Sequence, residues 1–300
     1  MIVSKVSGGL GNQLFGYAAA RAVALRNNTT LVLDASKYLR EWDASSTRPF
    51  LLDYFPVKAS FRHLGPVMER RSLIERAFRR LGEDFFSQEI DRDRGSFGYF
   101  EEFKKISSRA RMKGYFISPR FFDDWWCEIR NELSLPKRFF DITEDTIGKE
   151  FLSKIKRTET IGVHIRRGDF LTYDGPVKLY LRDFEDYLRG AIDYFANRIS
   201  PSTFVIVSDD RIWSEAFFRK LGVMFQLSPD GGDARIATMR DFYLLSECDH
   251  QIMSNSTFSW WAAWLGHRQG RQVLMPPRWD EAGVTPIEEM QAYDWKVLRV

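Results

Sequence analysis

The sequence predicts an α/β fold made of two halves that face a cleft. Three observations carry that prediction. Residues 2–6 form a short β-rich run that passes through Gly8-Gly9-Leu10-Gly11 into a helical pattern, the opening of an α/β unit. From residue 160 onward, strand-like runs alternate with helical ones, the mark of a parallel sheet. A chain of 300 residues with 44% hydrophobic content is also long enough for one large core or two of ordinary size.

In the first half, Leu14, Ala18, Ala22 and Leu25 fall on one helical face, with Arg21 and Arg26 to one side, and residues 30–34 read as a second strand. Residues 35–150 mix aromatic clusters with charge. Within them, 67–81 read as an amphipathic helix, with Leu73, Ile74, Phe78 and Leu81 opposed by Arg70, Arg71, Arg76, Arg79 and Arg80. The plain reading is a solvated basic face. The alternative is contact with an anionic membrane surface or a lipid-linked substrate. In the second half, strands are expected at 160–165, 203–207, 223–227, 250–253 and 272–275, with helices near 179–198, 211–221, 238–247 and 257–266. A boundary near residue 155 gives domains of 1–154 and 155–300. Ligands of parallel sheets bind beyond the carboxyl ends of the strands, so the loops at 166–170, 208–210, 228–232 and 254–257 share one rim.

The charge balance, 44 basic against 41 acidic residues, is too even for a dedicated nucleic-acid binder. Two cysteines, Cys127 and Cys248, make no disulfide scaffold and suit a reducing compartment. The start resembles no signal peptide and no run reaches the length of a membrane span, so a cytoplasmic protein is expected. His63, His164, His250 and His267 are not at ligand spacing. Asp91-Arg92-Asp93 imitates a manganese-binding Asp-x-Asp, but its arginines oppose a cation and it reads as a charged loop. No metal is therefore expected.

Four places could carry chemistry. Val163-His164-Ile165-Arg166-Arg167-Gly168-Asp169 leaves a strand and ends in charge. Guanidinium forks match diphosphate oxygens and keep their protons at neutral pH, whereas the same run could also be a surface turn with ordinary ion pairs. Ser254-Asn255-Ser256-Thr257 precedes a helix, where hydroxyls cap free N–H groups and the same N–H groups bind phosphate. Gly8-Gly9-Leu10-Gly11-Asn12-Gln13, with Asp34 ending the next strand, resembles a dinucleotide fingerprint, but Leu14 stands where the third glycine belongs. Its two amides could hydrogen-bond a sugar or phosphate, or Asn12 could cap the helix. Asp241, placed at the head of a 241–247 helical stretch, is a dipole partner or a carboxylate able to accept the paired N–H groups of a guanine edge. Trp260, Trp261 and Trp264 read as core. Asp209-Asp210 ends a strand and its carboxylates point apart, with Ser208 or Asp209 as a helix cap.

Together, Gly8 to Ala18, His164 to Asp169, Val207 to Asp210 and Ser254 to Trp264, closed by Met275-Pro276-Pro277-Arg278-Trp279, resemble the α-1,2-fucosyltransferases of glycosyltransferase family 11. Gly16, where many relatives carry Gln, is a mild departure that bears on the acceptor-side loop more than on donor chemistry. The resemblance implies a GT-B-type fold of two Rossmann-like domains, an N-terminal acceptor-side domain and a C-terminal GDP-fucose-binding one. It also implies GDP-β-L-fucose as donor, a galactose-containing glycan as acceptor, an α-1,2 linkage formed with inversion, and no cofactor or metal. By the same resemblance Arg166 holds the β-phosphate, His164 lines the nucleotide site, and Asp241 reads guanine. Ser256 and Thr257 bind phosphate, while Gly11 and Asn12 approach the donor. Asp169 and His164 are the candidate bases, beside a donor phosphate oxygen. The competing functions are a nicotinamide-dependent oxidoreductase using Gly8–Gly11 and Asp34, and a non-catalytic guanine-nucleotide- or sugar-binding protein.

Overall fold

The computed structural model describes residues 1–40, 48–62, 86–92, 98–172 and 178–299. The expected basic helix at 67–81 lies outside them. The described chain divides into two compact units, Met1–Ser134 and Leu135–Val300.

The first unit is built on a five-stranded parallel sheet of order β3-β2-β1-β5-β4. Its strands are β1 (Ile2–Lys5), β2 (Leu31–Asp34), β3 (Ser60–Arg62), β4 (Gln88–Arg92) and β5 (Ala110–Gly114). Helix α1 (Leu10–Arg26) follows β1 and is buried almost all round: from Leu10 to Ala24, only Asn12 and Arg21 retain appreciable exposure. Small side chains at Ala18, Ala19, Ala20, Ala22 and Ala24 let it be enclosed on every side without overpacking. Helix α2 (Trp126–Leu133) brings a carboxylate, Glu132, into this interior. Arg21 meets it with a fork, Nη2 to Oε1 at 2.7 Å and Nε to Oε2 at 2.9 Å, and the Tyr17 hydroxyl donates to Oε2. The same hydroxyl accepts from the Lys58 N–H at 2.9 Å, so the buried charge and its neighbours are satisfied. Asp91 and Arg92 end β4 rather than lying in a loop. Asp91 pairs with Lys113 on β5 at 3.0 Å, and Arg92 donates to the Gly98 carbonyl.

The second unit carries a six-stranded parallel sheet of order β11-β10-β9-β6-β7-β8. The strands are β6 (Glu159–Ile165), β7 (Ser202–Ser208), β8 (Phe225–Leu227), β9 (His250–Ile252), β10 (Val273–Met275) and β11 (Lys296–Val297). Five of them stand where apolar runs predict strands; β11, two residues long, gives no such signal. Its principal helices are α3 (Thr146–Ile155), α4 (Phe184–Ala196), α5 (Arg211–Leu221), α6 (Ala234–Glu247) and α7 (Thr257–Leu265). Phe184, Leu188, Ile192 and Phe195 of α4 pack on Ile161, Val163 and Ile165 of β6. Against Gly162 the approach is tight: a Cβ there would lie 3.1 to 3.2 Å from Cys248 and Leu245 of the α6 layer, so these neighbours would have to give way by a few tenths of an ångström. Trp260, Trp261 and Trp264 are wholly buried, as core residues.

The division at Ser134/Leu135 falls twenty residues before the expected boundary, and side-chain chemistry explains why. Phe139 and Phe140 pack on Tyr243 of α6, with ring centroids 5.1 and 5.0 Å away, and the Tyr243 hydroxyl donates to the Lys137 carbonyl. Asp145, the cap of α3, forms a two-pronged ion pair with Arg240 of α6, with both side chains at most 3% exposed. Removing one partner from such a pair costs about 3–5 kcal/mol. Residues 135–155 thus belong energetically to the second unit. Among the described residues no helix is long and apolar enough to cross a membrane.

Candidate active site

Strand order fixes where this site lies. From β6 the chain runs outward to β7 and β8, then returns to the opposite side of β6 as β9. The carboxyl ends of β6 and β9 therefore flank a topological switch point, the usual ligand crevice of an open parallel sheet. Register does the rest. Val163 lies opposite Ile252 and Ile165 opposite Ser208, so the segment following β6 emerges between Ser254 and Asp209.

His164 crosses that crevice. Its Nδ1 and the Ser254 Oγ are hydrogen-bonded at 2.7 Å, and its ring lies 5.2 Å from that of Phe258 on α7. Burial, with a smaller contribution from the Arg166 charge, pushes its acid down to about 3. The imidazole is therefore neutral at physiological pH and a very weak base.

Arg166 stands at the rim, 18% exposed, and donates from Nη2 to Asp169. Its Nε is 3.3 Å from Asp209 Oδ2. Asp209 also takes the N–H groups of Arg167 and Gly168 on its other oxygen, at 2.8 and 3.1 Å. One carboxylate thus sets both the loop and the guanidinium, a role that the paired-carboxylate reading missed. Arg167 turns the other way, with Nε 3.3 Å from Asp210 and its guanidinium 4.5 Å from the Trp213 ring centroid. That placement is structural. The cap of α5 is Asp210, neither Ser208 nor Asp209, and it accepts from Trp213 N–H at 3.2 Å.

The segment after β9 is held from below. Asn255 donates to the carbonyls of Leu179 and Trp279, at 2.7 and 2.9 Å. Ser256 is the N-cap of α7, its Oγ accepting from Phe258 N–H, and Thr257 opens the helix. The capping role expected of this cluster is present, and the first N–H groups of α7 face the same rim.

Asp241 is not at a helix head. The cap of α6 is Asp233, whose carboxylate accepts from Arg235 N–H, and Asp241 lies two turns inside the helix. The dipole reading therefore falls. Asp241 instead accepts a hydrogen bond from Ser228 Oγ at the end of β8. Burial raises its acid to about 6, against the opposing effects of the Ser228 hydrogen bond and the Arg211 and Arg240 charges.

In the first unit, Gly9 is the N-cap of α1, so Asn12 does not cap it. Gly8 has φ +79°, and the Asn12 side chain folds over it, 2.7 Å from where a Cβ would stand. Gly11 is buried in the first turn. Gln13 is no ligand amide: it donates to the Gly8 and Pro49 carbonyls and accepts from Leu51 N–H, all within 3.0 Å. Asp34 accepts from Ser36 N–H, a local turn. Among the described residues no group of three or more His, Cys, Asp or Glu side chains could hold a metal ion.

The family model described as glycosyl transferase family 11 matches residues 1–299. The chain belongs to that family. It is a glycosyltransferase, and the dinucleotide-oxidoreductase reading of Gly8–Gly11 is set aside with the internal pairing of Asp34. Among relatives of this family 11 protein, an α-1,2-colitosyltransferase of Escherichia coli is 28% identical over 98% of this chain and 96% of its own. Human galactoside α-(1,2)-fucosyltransferase 1 is 31% identical over 52% of this chain and 42% of its own. In fold, the chain is similar to an Arabidopsis thaliana FUT1 mutant solved in complex with GDP, with a TM-score of 0.52 and 14% identity over 96% of this chain and 72% of that one. The fold is of the GT-B type, α/β with two parallel sheets.

Proposed function

We propose that this glycosyltransferase moves L-fucose from GDP-β-L-fucose to the 2-hydroxyl of a galactoside, with inversion to an α-1,2 linkage and without a metal. The observation that carries the reading is the convergence at one switch point of a fixed guanidinium, Arg166, with the His164–Ser254 pair and the N-terminus of α7. Departing GDP gains negative charge as the sugar becomes oxocarbenium-like. Arg166 and the N–H groups beside Ser256 and Thr257 stabilise that charge where it develops, which is the work a metal does in other transferases. Asp241 accepts the guanine N1–H and 2-amino group. His164, neutral and weakly basic, lines the nucleotide site and takes no proton. The acceptor proton goes to Asp169 or to a phosphate oxygen of the leaving nucleotide.

A second donor is favoured by one observation: a relative matched over 96% of its own length is named an α-1,2-colitosyltransferase. Colitose is fucose without its 3-hydroxyl, so the two donors share the nucleotide, the diphosphate and the leaving-group chemistry. They differ at a single polar contact to the sugar.

The test has two stages. GDP in the presence of EDTA raises the melting temperature, by the equivalent of about 2.7 kcal/mol at a hundredfold excess over Kd, and NAD does not. No response to millimolar GDP sinks the proposal. GDP-fucose and GDP-colitose are then each supplied with terminal galactosides and the product linkage is read by NMR. A product from GDP-colitose alone would replace fucose in the proposal, and a linkage elsewhere than O2 would overturn the regiochemistry.

A further inference from the structure

Arg240 is 1% exposed, and the sequence offers no reason for an arginine there. Its Nε and Nη2 donate to the two oxygens of Asp145, at 2.7 and 2.9 Å. Its Nη1 donates to the carbonyls of Pro229 and Gly231, at 3.1 and 3.0 Å. Asp145 is itself fixed, since its Oδ1 accepts the Gly148 N–H that opens α3. The guanidinium is thus anchored on a helix cap and reaches across to the loop that follows β8.

That loop is gripped from Ser228 to Gly231. Arg211 donates to the Ser228 carbonyl at 2.7 Å and pairs with Asp230 at 2.9 Å, while Arg240 takes the carbonyls on either side of Asp230. Gly231 and Gly232 have φ of +103° and +90°, a path that residues with a Cβ rarely follow. A Cβ on Gly232 would lie 3.3 Å from Arg240 Nη2. The loop begins at Ser228, whose hydroxyl holds Asp241, and Asp241 is the next residue after Arg240 on α6. One turn of helix therefore carries both the carboxylate and the group that fixes the loop beside it.

We propose that Arg240, locked by Asp145, is a positioning residue for purine recognition. It holds Pro229–Gly231 so that the Ser228–Asp241 pair presents one fixed acceptor geometry, and that geometry distinguishes guanine from a purine lacking the 2-amino group. The inference rests on the reading of Asp241 as the base-reading carboxylate. Without the clamp the loop is free to shift, and the second of the paired hydrogen bonds from the base to Asp241 is lost. A hydrogen bond to a charged group accounts for roughly ten- to hundredfold in affinity.

The experiment compares the wild-type protein, Arg240→Lys, and the double variant Arg240→Met with Asp145→Asn. The double variant leaves no unpaired buried charge and keeps an amide oxygen to cap α3, so it folds even if Arg240→Lys does not. Calorimetric titration with GDP, IDP and UDP is combined with donor KM and kcat. The wild type binds GDP at least about tenfold more tightly than IDP. In the double variant, with an unchanged cooperative melt, that ratio falls below about threefold and donor KM rises about tenfold or more, while kcat at saturating donor stays within about threefold. A double variant that keeps the wild-type GDP-to-IDP ratio overturns the clamp and leaves the nucleotide reading intact. A wild type with no preference for GDP over UDP overturns both.

Discussion

Arg166→Lys lowers kcat by about two to three orders of magnitude, the loss typical of deleting a donor aimed at developing charge. The reasoning starts from geometry. Arg166 is held by Asp169 through Nη2 and by Asp209 near Nε, so its plane is fixed before any ligand arrives. An ammonium keeps the charge but has neither the plane nor the parallel pair of N–H groups. It can satisfy one of the two carboxylates, or a phosphate, but not all of them in one orientation. The defect is largest in the step where charge moves onto GDP, so kcat falls by more than GDP affinity does. Initial rates at saturating donor, with GDP-induced stabilisation as a check on folding, measure it. A kcat within threefold of wild type would mean that Arg166 is not the phosphate-binding residue.

On the proposed role of Asp241 as guanine acceptor, the affinity for GDP-fucose falls about tenfold between pH 7.5 and pH 5, because Asp241 titrates near pH 6 and a carboxylate accepts both N–H groups only when ionised. GDP-fucose has no ionisable group that changes charge in this window, so the step belongs to the protein. The groups facing Asp241 are Ser228, Arg211, Arg240 and Asp230. Asp230, the other carboxylate among them, is exposed and paired with Arg211. Folding responds in the opposite sense. A carboxyl whose acid is raised in the folded state stabilises the fold fully below its unfolded value, and that contribution is lost as pH rises through about 6. For this group, acidification strengthens the empty protein while it weakens donor binding. Asp241→Asn binds weakly and shows no step. Titrations at five pH values on both proteins decide it, and an identical step in the variant would assign the titration elsewhere.

The second unit was largely legible because its strands are continuous apolar runs, Thr160 to Ile165 and Thr203 to Val207, separated by helices with clear periodicity. The rim followed from that alternation, and with it the placement of Arg166 and Ser256 on one edge, whereas Asp241, expected at a helix head, lies two turns inside α6 and meets that edge through Ser228. In the first unit, β5 hid in Ala110-Arg111-Met112-Lys113-Gly114, where alternation is present but the inward residues are weak β formers and the outward ones charged. Strands β3 and β4 are polar and only partly buried, which leaves no apolar run to find. Caps were assigned one to three residues away from their places, as at Asp210 and Gly9, because each of these turns offers several competent residues. Asp145 and Arg240 are 95 residues apart, and neither has a local pattern that points to the other. Asp209 was seen as half of an acidic pair, but only the register of β6 on β7 shows which arginine it meets.

The Asp145–Arg240 pair also sets where this gene can be cut. A fragment or chimera joined at residue 155, the place composition suggests, would take Arg240 with it and leave Asp145 behind. The result would be a sealed cation with no counter-ion, next to the loop that follows β8. Recombination between relatives preserves the nucleotide half only when the crossover lies upstream of Leu135, so that the phenylalanines, the cap and its arginine are inherited as one block.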